Sequence, residues 1–253
     1  MKINLINPNT CIGMTEKIAA SARSAALSST DIIASMPTHG PESIESAFDE
    51  VIASAALLDV IKQGEENQVD AHIIACFGDP ALDAAREIAT VPVIGIAGAA
   101  FQLASLVAYR FGVVTTMTRT LPTSEHLLQR YGYQHLCSGV RATDIAVLDL
   151  ENVADDVYRE LKAECERALF EDGAEALVLG CAGMSDLTEK LSADLKVPII
   201  DGVCAAVKLA ESLHQLGLKT CKIGQYGSPL DKAFDGRYQH WNSNKNITKE
   251  RYI

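Results

Sequence analysis

Two cysteines stand at equivalent positions of a sequence repeat, and their spacing suggests acid–base chemistry. Residues 71–79, Ala-His-Ile-Ile-Ala-Cys-Phe-Gly-Asp, correspond to residues 176–184, Ala-Leu-Val-Leu-Gly-Cys-Ala-Gly-Met. In each copy a short apolar run ends at a cysteine, Cys76 or Cys181, and a glycine follows two positions later. The correspondence continues downstream, because Val-Pro-Val-Ile at 91–94 matches Val-Pro-Ile-Ile at 197–200. A repeat of this length predicts two similarly folded halves, each carrying one thiol at the same place.

Two thiols on opposite sides of one carbon atom can invert that carbon without a cofactor. One thiolate removes a proton from a carbon acid, and the other thiol returns a proton to the opposite face. Negative charge then moves onto an adjacent carbonyl oxygen, which the backbone amides that follow Cys76 and Cys181 can stabilise, since Gly78 and Gly183 allow close approach. Helices are predicted to begin just after the cysteines, so we expect each thiol pKa to be lowered towards neutrality.

The other cysteines have no counterpart in the repeat. A free cysteine is usually a small buried hydrophobic residue, and packing is the simpler interpretation for all five: Cys11, Cys137, Cys165, Cys204 and Cys221. No role is predicted for His39, His72 or His126.

Strands alternate with helices along the chain, which is typical of parallel sheets covered by helices on both faces. The first half is predicted to contain strands at 2–7 and 31–36 and a helix that begins at Gly40-Pro41-Glu42 and continues to about residue 66. That helix is predicted to bury a row of side chains at core spacing: Ile44, Phe48, Val51, Ile52 and Ala55. Asp79 is the predicted N-cap of the helix that follows the first cysteine.

The second half is predicted to repeat this order. Strands are expected at 111–116 and 144–148, helices at 123–131 and 152–172, and Ser185 or Asp186 as the cap of the next helix. The predicted fold class is therefore α/β, with two pseudosymmetric Rossmann-like (flavodoxin-like) domains and an active site in the cleft between them. We place the first domain in residues 1–98 and 206–253 and the second in residues 99–205.

Polar side chains also stand at the predicted strand ends. Parallel sheets bind ligands at the carboxyl ends of their strands. Asn7 follows the first strand, and Thr115 and Thr116 follow the first strand of the second half, so all three are expected near the two cysteines.

Composition excludes several classes of function. The net charge of −11, without a basic cluster, argues against a nucleic-acid partner. No Cys-x-x-Cys spacing, Gly-x-Gly-x-x-Gly turn or phosphate-binding lysine loop occurs, so neither a metal nor a cofactor is expected. The chain opens on an apolar strand rather than a signal peptide, and we expect reduced thiols and a cytoplasmic location.

One uncharged stretch, residues 90–109, is about as long as a membrane span. Pro92, Gly95 and Gly98 interrupt it, so a strand at 91–96 and a helix from about residue 99 are predicted instead, and no membrane partner. The polar tail, residues 236–253, carries the single tryptophan, Trp241, and no role is predicted for it.

These motifs together resemble the aspartate/glutamate racemase superfamily, and within it the hydantoin and allantoin racemase branch. The stretches that carry the resemblance are Ile6-Asn-Pro-Asn-Thr10, Gly40-Pro-Glu-Ser-Ile-Glu45, Ala75-Cys-Phe-Gly-Asp-Pro80, Pro92-Val-Ile-Gly-Ile96, Val113-Val-Thr-Thr116, Val178-Leu-Gly-Cys-Ala-Gly-Met184 and Pro198-Ile-Ile-Asp-Gly-Val203.

The resemblance implies a two-domain α/β fold, cofactor-independent racemisation with Cys76 and Cys181 as the acid–base pair, and a homo-oligomer. It also implies substrate contacts at seven residues: Asn7, Phe77, Gly78, Thr115, Thr116, Ala182 and Gly183.

The residues after the cysteines differ from those of amino-acid racemases, where polar pairs such as Asn-Thr or Thr-His follow. Here Phe77-Gly78 and Ala182-Gly183 follow. An apolar rim suits a neutral ring better than a zwitterion. The expected substrate is therefore a five-membered cyclic ureide, either a 5-substituted hydantoin or allantoin, inverted at carbon 5.

Two alternatives stay open from the sequence. A related isomerase or decarboxylase of the superfamily, such as a maleate-isomerase-like enzyme, would use one cysteine as a covalent nucleophile or proton donor. A small-molecule-binding protein without turnover would use the same cleft as a sensor.

Overall fold

The computed structural model describes residues 1–242 and contains two four-stranded parallel sheets. The first sheet has the order β2-β1-β3-β4, formed by β1 (Lys2–Ile6), β2 (Asp31–Ser35), β3 (Ala71–Ile74) and β4 (Val93–Gly95). The second has the matching order β6-β5-β7-β8, formed by β5 (Phe111–Thr115), β6 (Cys137–Ala142), β7 (Ala176–Leu179) and β8 (Ile199–Asp201). The predicted α/β fold with two parallel sheets is confirmed.

Eight α-helices connect the strands of the described chain. They are α1 (Ile12–Ala25), α2 (Ala47–Glu66), α3 (Leu82–Ile88), α4 (Ile96–Val107), α5 (Leu121–Tyr131), α6 (Asp155–Phe170), α7 (Thr188–Leu195) and α8 (Gly202–Gln215). Short 3₁₀ helices include Val147–Leu150 and Ala182–Leu187. Every residue of β3 and β7 is buried, as expected for central strands of sheets that are covered on both faces.

The helix that follows the last strand of each sheet packs on the other half of the molecule. Helix α4 leaves the first sheet but buries Ala97, Phe101 and Ala104 in one cluster with Phe111 and other residues of the second sheet. Helix α8 leaves the second sheet but contacts β3 and α1 of the first half, and α4 and α8 contact each other. On this basis we propose the domain division given above, with α4 in the second domain and α8 in the first.

Helix α2 differs from the prediction at its start. Ser46 caps it by accepting a hydrogen bond of 3.2 Å from the Asp49 amide, so the predicted beginning at Gly40-Pro41-Glu42 is wrong. Its first turns extend past the edge of the sheet to the mouth of a cleft. Phe48 and Val51 are therefore 76% and 68% exposed, and Ile52 is also exposed, instead of lying in the core.

The predicted strand at 144–148 is also wrong. Its place in the sheet is taken by β6, whose six residues are all half-buried, and half-burial leaves no apolar alternation to detect. Asp144 adopts a positive φ of 57° and turns the chain out of the sheet. Its carboxylate accepts hydrogen bonds from the amide and the hydroxyl of Thr118.

The predicted helix caps need correction too. Helix α3 begins after Ala81, which makes no side-chain cap, and α7 begins after Leu187, also without one. Asp79 bonds instead to α4, Ser185 bonds to Asp201, and Asp186 pairs with Lys17.

The described part of the tail returns to α2. The Lys62 ammonium donates to the His240 carbonyl and lies 5.1 Å from the centre of the Trp241 ring, and His240 pairs with Asp59 at 2.6 Å. Residues 243–253 lie outside the described chain. Within residues 1–242, no helix combines the length and apolar character that a bilayer crossing requires.

The contact between α4 and α8 predicts a specific sensitivity to substitution. A Cβ on Gly202 would lie 2.6 Å from the Ile96 carbonyl oxygen, so the two helix N-termini meet backbone to backbone. Gly202→Ala should therefore lower the free energy of unfolding by about 1–3 kcal/mol, measured by urea denaturation. Gln102→Ala, on the exposed side of α4, is the matched control and should change it by less than about 0.5 kcal/mol. Equal stability of the two variants would contradict this contact.

Candidate active site

A cleft of about 650 Å³ lies where the carboxyl ends of the two sheets face each other. The structure places every sequence-predicted site residue on its wall: Asn7, Cys76, Phe77, Gly78, Thr115, Thr116, Cys181, Ala182 and Gly183. They come from four strand ends, two in each half, so the cavity is built equally by both copies of the repeat.

The two cysteines stand in the same kind of turn. The Asp79 amide donates to the Cys76 carbonyl at 3.0 Å, and the Met184 amide donates to the Cys181 carbonyl at 3.1 Å. The Gly78 amide lowers the pKa of the Cys76 thiol, and the Gly183 amide lowers that of the Cys181 thiol. Each turn therefore places a backbone amide beside the thiol of the cysteine two residues earlier.

Burial raises the pKa of both thiols, so the expected lowering is wrong. The pKa of Cys76 is raised to about 12 and that of Cys181 to about 11, because desolvation outweighs the hydrogen bonds from Gly78 and Gly183. The predicted helix start is absent directly after Cys76, because α3 begins only at Leu82, whereas a 3₁₀ helix, Ala182–Leu187, does follow Cys181. The helix-terminus effect assumed from the sequence is therefore too weak to reverse the cost of burial.

Neighbouring charges distinguish the two thiols. After burial, the Cys181 thiol and the Glu50 and Asp79 carboxylates raise the pKa of Cys76 further. The ammonium of Lys17 acts in the opposite direction on Cys181 and lowers its pKa, which Glu45 partly offsets. These charges therefore favour a thiolate at Cys181 over one at Cys76.

The three predicted polar residues differ in their freedom to bind a ligand. Asn7 donates its side-chain amide to Asn9 at 2.7 Å and to Thr15 at 2.9 Å, so it mainly shapes the loop before α1. Thr115 donates to the Gly180 carbonyl at 3.0 Å and fixes the residue before Cys181. Within residues 1–242 the Thr116 hydroxyl has no protein partner, and it faces the cavity ready to bind a polar atom of a ligand.

Several cavity residues were not predicted from the sequence. Glu50 lies in the first turn of α2, and burial raises its pKa. Arg119, His126 and Arg130 approach from the segment around α5, and Arg130 pairs with Asp83 at 2.7 Å. None of these residues follows a strand or belongs to the repeat, so the sequence gives no signal that separates them from ordinary surface charges.

Polar contacts hold the two halves together beside the cleft. Glu45 accepts a hydrogen bond of 2.8 Å from the Val147 amide of the other half. Lys17 donates to the Leu150 carbonyl and pairs with Asp186 at 3.1 Å. Lys17 and Glu45, whose charges act on Cys181, therefore also bind the opposite wall of the cleft.

The chain is similar to known proteins over nearly its whole length. A profile of the Asp/Glu/Hydantoin racemase family matches residues 3–210. The hydantoin racemase of a Pseudomonas species is 45% identical over 249 residues, which cover 98% of this chain and 100% of that protein. The hydantoin racemase of Rhizobium meliloti is 48% identical over 236 residues, covering 93% and 98%. The structure of allantoin racemase from Klebsiella pneumoniae superposes with a TM-score of 0.93 at 50% identity and covers 96% of this chain and 99% of its own.

Substitution of Gly78 and of Gly183 by alanine should have different effects on stability and turnover. A Cβ on Gly78 would make ordinary contacts of 3.8 Å to Thr123 and 3.9 Å to the Cys76 sulfur. Gly78→Ala should thus keep its stability but lose about tenfold in turnover, because the methyl group enters the cavity beside the thiol. A Cβ on Gly183 would lie 2.9 Å from the Met14 sulfur and 3.2 Å from Leu150, so Gly183→Ala should lose about 1–3 kcal/mol of stability. Urea denaturation and turnover together test this, and a destabilised Gly78→Ala protein would contradict it.

The raised pKa values predict how the thiols react with iodoacetamide, which alkylates thiolates. With pKa values of about 11 and 12, the thiolate fraction at both cysteines should grow about tenfold for each pH unit between pH 7 and pH 9. Cys181 should be alkylated faster than Cys76 at every pH. Peptide mass spectrometry reports both rates, with Cys76→Ser and Cys181→Ser proteins as assignment controls. An alkylation rate that levels off below pH 8 would show that the pKa values of these thiols are not raised.

Proposed function

The chain belongs to the Asp/Glu/Hydantoin racemase family, and from that membership we propose that it is a racemase acting on hydantoin or allantoin. The sequence-based assignment to this family is confirmed. The proposed reaction inverts carbon 5 of the five-membered ureide ring, using Cys76 and Cys181 as the two acid–base groups and no cofactor.

The observation that carries this proposal is the placement of two thiols, in equivalent turns, on one cavity. A two-base racemase accepts both enantiomers because one group that can act as acid or base stands on each side of the reacting carbon. Cys76 and Cys181 supply the same chemical group from opposite halves. Single-thiol chemistry, as in a decarboxylase, would leave the second equivalent cysteine without a purpose.

Proton transfer then proceeds in two balanced steps. The Cys181 thiolate takes the proton from carbon 5, so the C–H bond breaks, an S–H bond forms, and the electron pair moves onto the adjacent carbonyl oxygen. The Cys76 thiol next gives its proton to the opposite face of carbon 5 and becomes the thiolate. The enzyme now carries the thiolate on the other side, ready for the mirror-image substrate.

Of these two thiolate states, the charges around the cleft favour the one at Cys181. Lys17 stabilises the Cys181 thiolate, while Glu50 and Asp79 disfavour a thiolate at Cys76. Forming the Cys181 thiolate at pH 8 from a pKa of about 11 costs about 4 kcal/mol. Such a thiolate is in return a strong base, and a substrate that excludes water from the cleft strengthens its interaction with the Gly183 amide.

The cavity wall offers apolar atoms beside both cysteine turns. Met14 and Leu150 adjoin Gly183, and the Thr123 methyl group adjoins Gly78. Charged groups act on both thiols as well, Lys17 and Glu45 on Cys181 and Glu50 and Asp79 on Cys76. Phe77 packs its ring edge-on against Phe101 at 5.6 Å and offers the substrate its backbone. The Thr116 hydroxyl is the side chain that we propose for a hydrogen bond to the ring.

Substitution of each cysteine tests the mechanism. Cys76→Ser and Cys181→Ser should each lower racemisation by at least about 10³-fold, because a serine hydroxyl is a poor acid and base near neutral pH. Each variant should still exchange the carbon-5 proton of one enantiomer with deuterium oxide, and the two should prefer opposite enantiomers. Polarimetry follows racemisation and NMR follows exchange, starting from one enantiomer of a 5-substituted hydantoin and of allantoin.

Cys221→Ser is the control, since Cys221 is exposed and lies outside the cavity, and it should keep full activity. Racemisation at the wild-type rate by either serine variant would refute the two-thiol mechanism. Binding of the ureide without turnover by the wild-type protein would instead favour a sensor. The homo-oligomer and the cytoplasmic location stay predictions, the first of which light scattering can decide.

A further inference from the structure

The N-terminus of α8 is capped by the residue that ends its own strand. Asp201, the last residue of β8, accepts hydrogen bonds from the Val203 amide at 3.1 Å and the Cys204 amide at 2.9 Å. Its counterpart in the first half is Gly95. The sheet register supports this, because Gly95 pairs with the last residue of β3 and Asp201 with the last residue of β7. Glycine has no side chain, so α4 cannot be capped in the same way.

Asp79 supplies the missing carboxylate from another segment. Its two oxygens accept hydrogen bonds from the Ala97 and Gly98 amides, both at 3.1 Å, and these amides are the counterparts of those at 203 and 204. A Cβ placed on Gly95 would overlap the carboxyl group of Asp79. The carboxylate therefore occupies the volume that an aspartate side chain at position 95 would fill.

The origin of this carboxylate connects it to a proposed acid–base thiol. Asp79 closes the turn that contains Cys76, through its amide bond to the Cys76 carbonyl. It holds a positive φ of 44°, which a non-glycine residue adopts only when its surroundings impose it. The Tyr131 hydroxyl, from the other half, donates a third hydrogen bond of 2.6 Å to the same carboxylate. Burial raises the pKa of Asp79 to about 6, so the group is ionised at neutral pH.

The second half makes the equivalent connection through an added residue. Ser185, four positions after Cys181, has its hydroxyl 2.7 Å from the Asp201 carboxylate and 2.8 Å from the Ala182 carbonyl, so its one hydrogen is shared between these two acceptors. Both cysteine turns are thus bonded to the carboxylate that caps the helix after the following strand, directly in the first half and through a serine in the second.

We propose that Asp79 is a positioning residue for the Cys76 thiol, and that Ser185, bonded to Asp201, performs the same task for Cys181. The proposal rests on the two-thiol function given above. Its competitor is that Asp79 only caps α4 and contributes stability alone. The two differ in one respect: a positioning residue must affect the thiol on its own turn and leave the other thiol unchanged.

Moving the carboxylate separates these roles. The double variant Asp79→Ala/Gly95→Asp keeps a carboxylate on α4 but detaches it from the Cys76 turn. The double variant Asp79→Ser/Gly95→Asp rebuilds the arrangement of the second half in the first. Both should melt within about 4 °C of the wild-type protein, since the helix cap is retained.

Deuterium exchange at carbon 5 is then measured in two backgrounds, Cys181→Ser, where Cys76 alone acts, and Cys76→Ser, where Cys181 alone acts. The alanine double variant should slow exchange by Cys76 at least about tenfold and change exchange by Cys181 less than about twofold. The serine double variant should return exchange by Cys76 to within about threefold of its parent. Ser185→Ala should give the mirror result, slowing exchange by Cys181 only.

Unchanged exchange by Cys76 in the alanine double variant would overturn the proposal and leave Asp79 as a helix cap. Equal slowing of both thiols would also overturn it. If the double variants do not fold, Asp79→Asn, which keeps one acceptor oxygen and tolerates the positive φ, is compared in the same two backgrounds with the same criterion.

Iodoacetamide labelling distinguishes failure of this proposal from failure of the proposed function. The alanine double variant, with both cysteines present, should change the alkylation rate of Cys76 at least about threefold and leave that of Cys181 unaltered. If neither serine parent exchanges any proton, the two-thiol function fails, while selective labelling at Cys76 still supports a positioning role. If the labelling of Cys76 is unaltered as well, the positioning role fails.

Discussion

The contact between α4 and α8 is the interaction on which the cleft depends. Each helix begins at the last strand of one half and buries its apolar face on the other half. Gly202 lets the two N-termini meet at van der Waals distance, and this brings the carboxyl ends of both sheets towards one cavity. Separating the halves would expose Phe101 and the alanine faces of both helices, and each large buried side chain contributes about 1.5–3 kcal/mol. The distance between the thiols is therefore fixed by core packing rather than by loops.

The same arrangement buries the two thiols, and burial has two opposite electrostatic effects. A closed cleft strengthens hydrogen bonds to a developing oxyanion, but it also destabilises the thiolate from which the proposed reaction starts. The structure compensates locally, with the Gly78 and Gly183 amides on the sulfurs and the Lys17 charge near Cys181. Lys17 also binds the Leu150 carbonyl and Asp186, so the residue that stabilises the Cys181 thiolate also connects the two halves beside the cleft.

The sequence predicted the parts of the site that local pattern determines. Apolar runs ending in Cys76 and Cys181 specify strand ends, and parallel sheets bring such ends together. It did not predict Glu50, because the start of α2 depends on the Ser46 cap and on a loop that leaves Phe48 and Val51 exposed. It missed β6 because a half-buried strand has no periodic pattern. It assigned Asp79 to the nearest helix in sequence, whereas Asp79 caps α4, whose Ala97 amide lies 18 residues further along the chain but within hydrogen-bond distance.

The exchanged helices also bear on how such a protein can arise. If one half stood alone, one face of its sheet would lack a covering helix. The apolar face of its terminal helix would also lack a sheet to pack on. In a pair of identical copies, each terminal helix can pack on the sheet of the other copy, which is the geometry of a domain-swapped dimer. In that dimer the two thiols are the same residue of the two copies, related by a twofold axis that passes between them. Once two such copies are fused into one chain, the sequences of the two halves can change independently. Gly95 and Asp201 occupy equivalent positions of the two halves and are different residues.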